Sequence, residues 1–239
     1  MRYEELTIEG RNAVLEAFRA GKTIDKLFVL DGCQDGPIKS ITREARKHDA
    51  IINYVAKERL DQMSETGKHQ GVIAVSAAYE YAEVSDILEN AERKGEPPFI
   101  IILDGIEDPH NLGAHGIIIP KRRAVGLTPT VAKTSAGAIN YTPVAKVTNI
   151  SNTIKELKEK GMWFVCADMG GTTMYDLNLT GPIGLVIGNE GDGVSKLVKE
   201  NCDMTASIPM VGDIDSLNAS VATGVLAYEI VRQRLKSGK

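Results

Sequence analysis

The sequence predicts an α/β protein with a mostly parallel sheet in its C-terminal part and a smaller α/β unit before it. Runs rich in Ile and Val, such as Phe99–Leu103 and Gly184–Ile187, are apolar without alternation, as strands buried on both faces are. Segments of helical spacing separate these runs; in Asn218–Leu235 the residues Ala222, Val225, Leu226 and Ile230 form one apolar face. An acidic stretch that ends at Pro97-Pro98 divides the chain, because prolines stop a helix and stiffen the adjoining backbone.

Residues 1–78 read as a helix (Gly10–Ala20, with Val14, Leu15 and Phe18 on one side), a strand (Lys26–Leu30) and a helix (Pro37–His48). A strand (Ile51–Tyr54), a helix (Ala56–Met63) and a strand (Gly71–Ser76) complete this unit. Residues 79–97 carry 6 acids against 2 bases and read as an acidic amphipathic helix and linker. Residues 98–239 form the second domain. Its strands are Phe99–Leu103, His115–Ile119, Thr142–Val147, Trp163–Ala167, Gly184–Ile187 and Met204–Ile208. Its helices are Val131–Ala138, Ile150–Lys160, Ser195–Asn201 and Asn218–Leu235. Such sheets bind ligands at the carboxyl ends of their strands.

One junction breaks the pattern. Only the 11 residues DGIEDPHNLGA separate the strands that end at Leu103 and begin at His115. Parallel neighbours usually need a helical crossover of a dozen or more residues, and Gly105, Pro109 and Gly113 do not build one. Either the two strands are not parallel neighbours, or a helical segment is absent between Ala114 and His115.

Composition narrows the class. A chain of 239 residues, 43% of them hydrophobic, has a proper core. Cys33, Cys166 and Cys202 are scattered and odd in number, which predicts neither a disulfide framework nor a metal site. No run approaches the roughly 20 apolar residues that cross a bilayer, and the polar start MRYEELTIEG does not read as a signal segment. A cytoplasmic protein is expected. The net charge of −4 excludes a generally basic nucleic-acid binder. Residues 1–78 balance 12 bases with 12 acids and residues 98–239 balance 14 with 14, so any RNA contact must use local patches. The dense run Lys121-Arg122-Arg123 reads equally as a solvated turn or a phosphate contact.

The chemistry concentrates in GPIGLVIGNEGDGVSKLV and SIPMVGDIDSLNASVATGVLAYEIVRQR. A buried strand leads into Gly188-Asn189-Glu190-Gly191-Asp192-Gly193, whose glycines permit close backbone approach and positive φ. This is not a phosphate loop. It has neither the Gly-Lys-Ser/Thr ending nor the G-x-G-x-x-G spacing, and Glu190 and Asp192 place negative charge where a phosphate would sit. A neutral or cationic ligand suits it better; the bland alternative is an ordinary glycine-rich turn. Ser216, Asn218 and Ser220 then gather at the start of the long helix. One of them suffices as a cap, and several beside a glycine loop point to a ligand site.

These motifs resemble those of the SpoU branch (TrmH-like) of the SPOUT RNA 2′-O-ribose methyltransferases. IGNEGDGVS is similar to that family's second motif, SIPMVGDIDSLNASVATGVLAYEI to its third, and NLGA to the start of its first. The N-terminal unit resembles the ribosomal-protein-like RNA-binding domain of the bacterial 23S rRNA guanosine 2′-O-methyltransferases. The resemblance implies a trefoil knot, with the chain after Ile208 threaded through an earlier loop, and a homodimer that shares active-site parts. It implies methyl transfer from S-adenosylmethionine to a ribose 2′-hydroxyl of RNA, rRNA first and tRNA as the alternative. Carried over by position, Gly188, Ile208 and Leu217 touch the cofactor, with Asn189 and Met210 beside them and Ala167 in the adenine-side wall. Asn111, Glu190, Ser216 and Asn218 are the implied catalytic companions. The family's proton-handling arginine lies on a helix after the position of Asn111. This chain passes from Ala114 directly to His115; an active enzyme is expected, and if that helix is truly deleted the expectation becomes weak or absent catalysis unless His110, His115, Arg122 or Arg123 substitutes.

Overall fold

The computed structural model describes residues 7–76, 80–104, 113–122, 124, 127, 141–189, 191–210 and 217–238. In chain order its elements are β1 (Thr7–Glu9), α1 (Arg11–Arg19), β2 (Ile24–Leu30), α2 (Gly36–Lys47), β3 (Ile51–Val55), α3 (Lys57–Met63) and β4 (Val72–Ser76). Then come α4 (Val84–Lys94), β5 (Phe99–Asp104), β6 (Gly116–Pro120), β7 (Val144–Val147) and α5 (Ile150–Glu159). They are followed by β8 (Trp163–Thr173), a 3-10 turn (Met174–Asp176), β9 (Ile183–Gly188), α6 (Lys196–Asn201), β10 (Met204–Ser207) and α7 (Ala219–Lys236). The helix expected at Val131–Ala138 lies outside the described residues. The chain forms two compact units, one chiefly of residues up to Glu80 and the other chiefly of residues from Tyr81 on.

In the first unit the strand order is β1-β4-β2-β3, with only the β2–β3 pair parallel. Alternation along the strands sends Leu27, Val29, Val72 and Ala74 to one face, where they meet Val14 and Phe18 of α1 and Ile38 and Ile41 of α2. Asp35 starts α2 by accepting a hydrogen bond from the Ile38 amide at 3.1 Å. The three-residue β1 is too short for alternation to reveal, and the sequence reading missed it. Beside it, the Glu9 carboxylate gathers the turn after α3, accepting from the Ser64 and Thr66 hydroxyls at 2.6 and 2.7 Å and from the Glu65 amide.

The second unit is built on six parallel strands in the order β10-β8-β9-β5-β6-β7. Its interior holds Ile100, Ile102, Ile118, Phe164 and Val186, all fully buried. The segment expected as a linker contributes to this core. On α4, Ile87 and Ala91 are fully buried, and the helix packs against β6 and β7. The periodicity that marks α4 as amphipathic is the reason: its apolar stripe needs a partner, and the sheet supplies one.

β5 and β6 are hydrogen-bonded parallel neighbours, with Ile100 opposite Gly116 and Ile102 opposite Ile118. The geometric objection to this pairing is therefore lifted, and reach explains why. The chain must return about four residues along the sheet, roughly 13 Å, and cross one strand spacing of about 5 Å. The 11 residues from Gly105 to His115 span up to about 36 Å when extended. A helix is the usual crossover but not a necessary one.

α7 is fastened at its far end by a residue that sequence reasoning passed over. Arg234 is buried and donates to the carbonyls of Pro97 (2.8 Å), Pro98 (3.0 Å) and Gly181 (2.8 Å), just ahead of β5 and β9. A basic residue in a last helical turn ordinarily points to solvent and complements the helix dipole. Here it satisfies carbonyls at the amino ends of two core strands. Arg234→Met should keep much of the volume but take the side-chain donor from the Pro97 and Gly181 carbonyls, while Pro98 keeps the Ile183 amide, and should lower the stability of the second unit by about 2–4 kcal/mol in denaturant unfolding. An unchanged midpoint would remove Arg234 from this role.

Candidate functional site

β8, β9 and β10 end together on one edge of the sheet, and a pocket of about 570 Å³ opens there. Ala167 and Asp168 come from β8, Ile187 and Gly188 from β9, and Ile208 follows β10. Leu217 and Asn218 close the pocket with Ala222 and Leu226 of α7. The volume is that of a small-molecule site, with apolar walls and a few polar groups at the rim. The face of α7 read as apolar is thus divided: Ile230 and Leu226 are buried, and Leu226 and Ala222 also face the pocket.

The glycine loop is shaped by contacts within itself. A Cβ on Gly188 would run into the backbone of Gly193 and Val194. At this position the close approach that demands glycine comes from the protein's own loop. Gly193, at φ +67°, turns the chain back. The Asn189 side-chain oxygen accepts from the amides of Gly191 (2.9 Å) and Asp192 (2.7 Å), and the Gly193 amide donates to the Asn189 carbonyl at 3.0 Å. Ser195 stands at the start of α6 as expected, but its side chain makes no capping bond. Its amide instead donates to Asp104 at 3.0 Å, which ties the loop's exit to the end of β5.

Charge is asymmetric around the pocket. Lys199 donates to Asp168 at 2.7 Å and the Gly170 amide donates to it at 3.0 Å. The lysine first, and the amide second, hold the Asp168 carboxyl below the usual carboxylate range. Asp192 adds an exposed carboxylate. At the other wall Asn218 caps α7, accepting from the Ser220 amide at 2.9 Å and hydroxyl at 2.8 Å. Among the described residues no cluster of His, Cys, Asp or Glu could hold a metal ion.

Gly188, Asn189, Ile208, Met210, Leu217, Ala167 and Asn218 therefore converge on one pocket. Asn111, Glu190 and Ser216 lie outside the described residues, as do His110 and Arg123. His115 is in the wrong place to act here. It is fully buried, accepts from the Phe99 amide at 3.0 Å through Nδ1, and faces Glu96 at 3.1 Å through Nε2. Phe99 begins β5 and pairs with Ile183, whereas the pocket sits beside Gly188, about 17 Å farther along the strands. Burial, then the nearby Lys94, depresses the His115 pKa despite Glu96. Arg122 is exposed just beyond β6, on the pocket's edge of the sheet but two strands from β9. Sequence reasoning missed Asp104 and Lys199. The signal for Asp104 was available, as an acid closing an apolar strand at the functional edge of a parallel sheet.

The family described as "SpoU rRNA Methylase family" matches residues 98–228, and "RNA 2'-O ribose methyltransferase substrate binding" matches residues 7–82. A Bacillus subtilis protein named YacO, of the TrmH family of tRNA/rRNA methyltransferases, is 48% identical over 242 positions, covering 96% of each chain. A Staphylococcus saprophyticus protein named for the same family is 45% identical, with 97% of each chain covered. The alignment with YacO is longer than this chain, so that relative carries residues this chain lacks. The crystal structure of the SpoU methyltransferase AviRb from Streptomyces viridochromogenes, in complex with AdoMet, has the same fold, with a TM-score of 0.56 at 24% identity. It covers 97% of this chain and 91% of its own.

The Asn189 turn is open to a direct check. Asn189→Ala removes the one side-chain oxygen that accepts from two amides. Amide exchange at Gly191 and Asp192 should quicken by about tenfold, the loss of roughly one net hydrogen bond. Unchanged protection would mean that the turn is held by the backbone alone.

Proposed function

The chain belongs to the SpoU rRNA methylase family, and from that premise we propose that it transfers a methyl group from S-adenosylmethionine to a ribose 2′-hydroxyl of RNA. The observation that carries the reading is the pocket at the carboxyl edge, apolar within and acidic at its rim. It suits this cofactor. Ile208, Leu217 and Leu226 offer apolar surface for an adenine ring, and the exposed Asp192 offers negative charge to a cation, Asp168 being already paired with Lys199. A phosphate-bearing cofactor would meet the Asp192 carboxylate unfavourably. When bound, S-adenosylmethionine supplies the methyl on a positively charged sulfur.

The protein's part is to hold the ribose oxygen about 3 Å from its target and to handle the proton. By position in the motifs, Asn111, Glu190, Ser216 and Asn218 hold the ribose. A guanosine of 23S rRNA is the proposed target, from the resemblance of the N-terminal unit to the RNA-binding domain of the 23S rRNA enzymes; the family match over residues 7–82 names RNA without its class, and a tRNA target is the alternative. The proposal includes the trefoil knot and the homodimer that the motif resemblance implies, and an exposed stripe on α7 supports the homodimer. Val221, Tyr228 and Leu235 recur every seven residues and are 51%, 67% and 75% exposed, so they form an apolar seam for a second copy. Tyr228→Glu should convert the dimer to a monomer in analytical ultracentrifugation, and a dimer that survives would place the interface elsewhere.

A second reading rests on one observation. No arginine occurs between Asp104 and Gly116, where the family's proton-handling residue belongs. This reading keeps cofactor and RNA binding and loses turnover. Labelled S-adenosylmethionine incubated with unmodified 23S rRNA and tRNA transcripts separates the two. The first predicts label in RNA that resists alkaline cleavage, because a 2′-O-methyl blocks attack on the adjacent phosphate, and Glu190→Ala should lower its rate by about tenfold or more. Binding without label supports the second reading. Label on a base would overturn ribose transfer.

A further inference from the structure

We propose that the outer face of α2 is a docking surface for the phosphate backbone of a folded RNA; this rests on the reading of the chain as an RNA-modifying protein. Lys39, Arg43, Arg46 and Lys47 are all exposed. At 100° per residue they fall within an arc of about 100°, and Lys39 and Lys47 lie about 12 Å apart along the axis. The buried arc of the same helix, Ile38, Ile41, Thr42 and Ala45, faces the other way. α2 therefore docks on its sheet with one stripe and presents a basic stripe on the outside.

Two other bases of this unit are held by acids, and α3 is balanced in sequence. Arg11 pairs with Asp35 and Arg19 with Glu16, each at 2.7 Å, and α3 carries Lys57 and Arg59 beside Glu58 and Asp61. On α2, Glu44 is the one acid available to four bases. It contacts Lys47 at 2.9 Å and Arg43 at 3.9 Å, and among the described residues no ion pair reaches Lys39 or Arg46. A unit with 12 bases and 12 acids thus concentrates three net positive charges on one helix face. Polyanion binding requires such a local patch when net charge supplies no general attraction. RNA phosphates are the occupant that fits, because the family match over residues 7–82 names substrate binding in RNA methyltransferases.

The test compares the full-length protein with K39Q/R43Q/R46Q/K47Q and with K22Q/K155Q/K160Q/K196Q, which removes four exposed charges from other positions. The probe is a 23S rRNA transcript, titrated over a range of salt. The α2 variant should lose about tenfold or more in affinity, and its slope of log K against log salt should be shallower by about two to four. The control variant should lose less than a third as much on a logarithmic scale. Affinity for S-adenosylmethionine should be unchanged in both, which also reports an intact second unit, and circular dichroism reports α2. Equal losses in both variants, or none in the α2 variant while the parent binds RNA, overturn the docking surface and leave the enzyme reading standing. A parent protein without RNA affinity overturns both. Loss of affinity for phosphatidylserine vesicles with none for RNA makes the stripe a membrane contact and overturns the proposal.

Discussion

Backbone packed against the α-carbon of Gly188 sets the geometry of the pocket. The amide and carbonyl groups of residues 193 and 194 occupy the space a side chain would need, so β9 must end in glycine for the loop to fold back. Asn189 then closes the turn from inside, and Asp104 holds its exit through the Ser195 amide. With the loop fixed, Ile187 and Gly188 face Ile208 and Leu217 across the sheet edge. A parallel sheet makes this possible, since it delivers the ends of β8, β9 and β10 to one side. The far end of α7 is secured separately, by Arg234 on the carbonyls ahead of β5 and β9.

Electrostatics divide the labour in the same way. The pocket rim is acidic, while Lys199 and the Gly170 amide keep Asp168 ionised. The basic charge that a polyanion needs is placed on α2 in the first unit. Neither feature appears in the net charge of −4, which averages them away. Charge counted per element is informative where charge counted per chain is not.

Much of this architecture was legible because it rests on period. Continuous apolar runs marked β5 and β9, and helical spacing marked α2, α4 and α7. The pocket residues at 167, 188, 208, 210 and 217 were legible through motif resemblance, and the structure brings them together. Three features were not legible. β1 is too short to show alternation. Burial of Arg234 depends on carbonyls from residues 97, 98 and 181, which no local pattern connects to it. The pairing of β5 with β6 was one of two outcomes the sequence left open, and no local pattern decides between them; the structure shows them as parallel neighbours. His115 shows the converse error, since a histidine near a turn was available as a base in sequence but is enclosed at the opposite end of the strands.

Among the described residues the pocket walls come from β8, β9, β10 and α7. These walls carry the proposed cofactor binding, which is separable from the proposed methyl transfer. The most direct measurement is the backbone amide NMR spectrum of the full chain titrated with S-adenosylmethionine. Shifts concentrated at residues 167–169, 187–193, 208–210 and 217–222, with the first unit unmoved, are the predicted result. Saturating cofactor without shifts at these positions, or with shifts centred in the first unit, would contradict a cofactor pocket at this edge of the sheet.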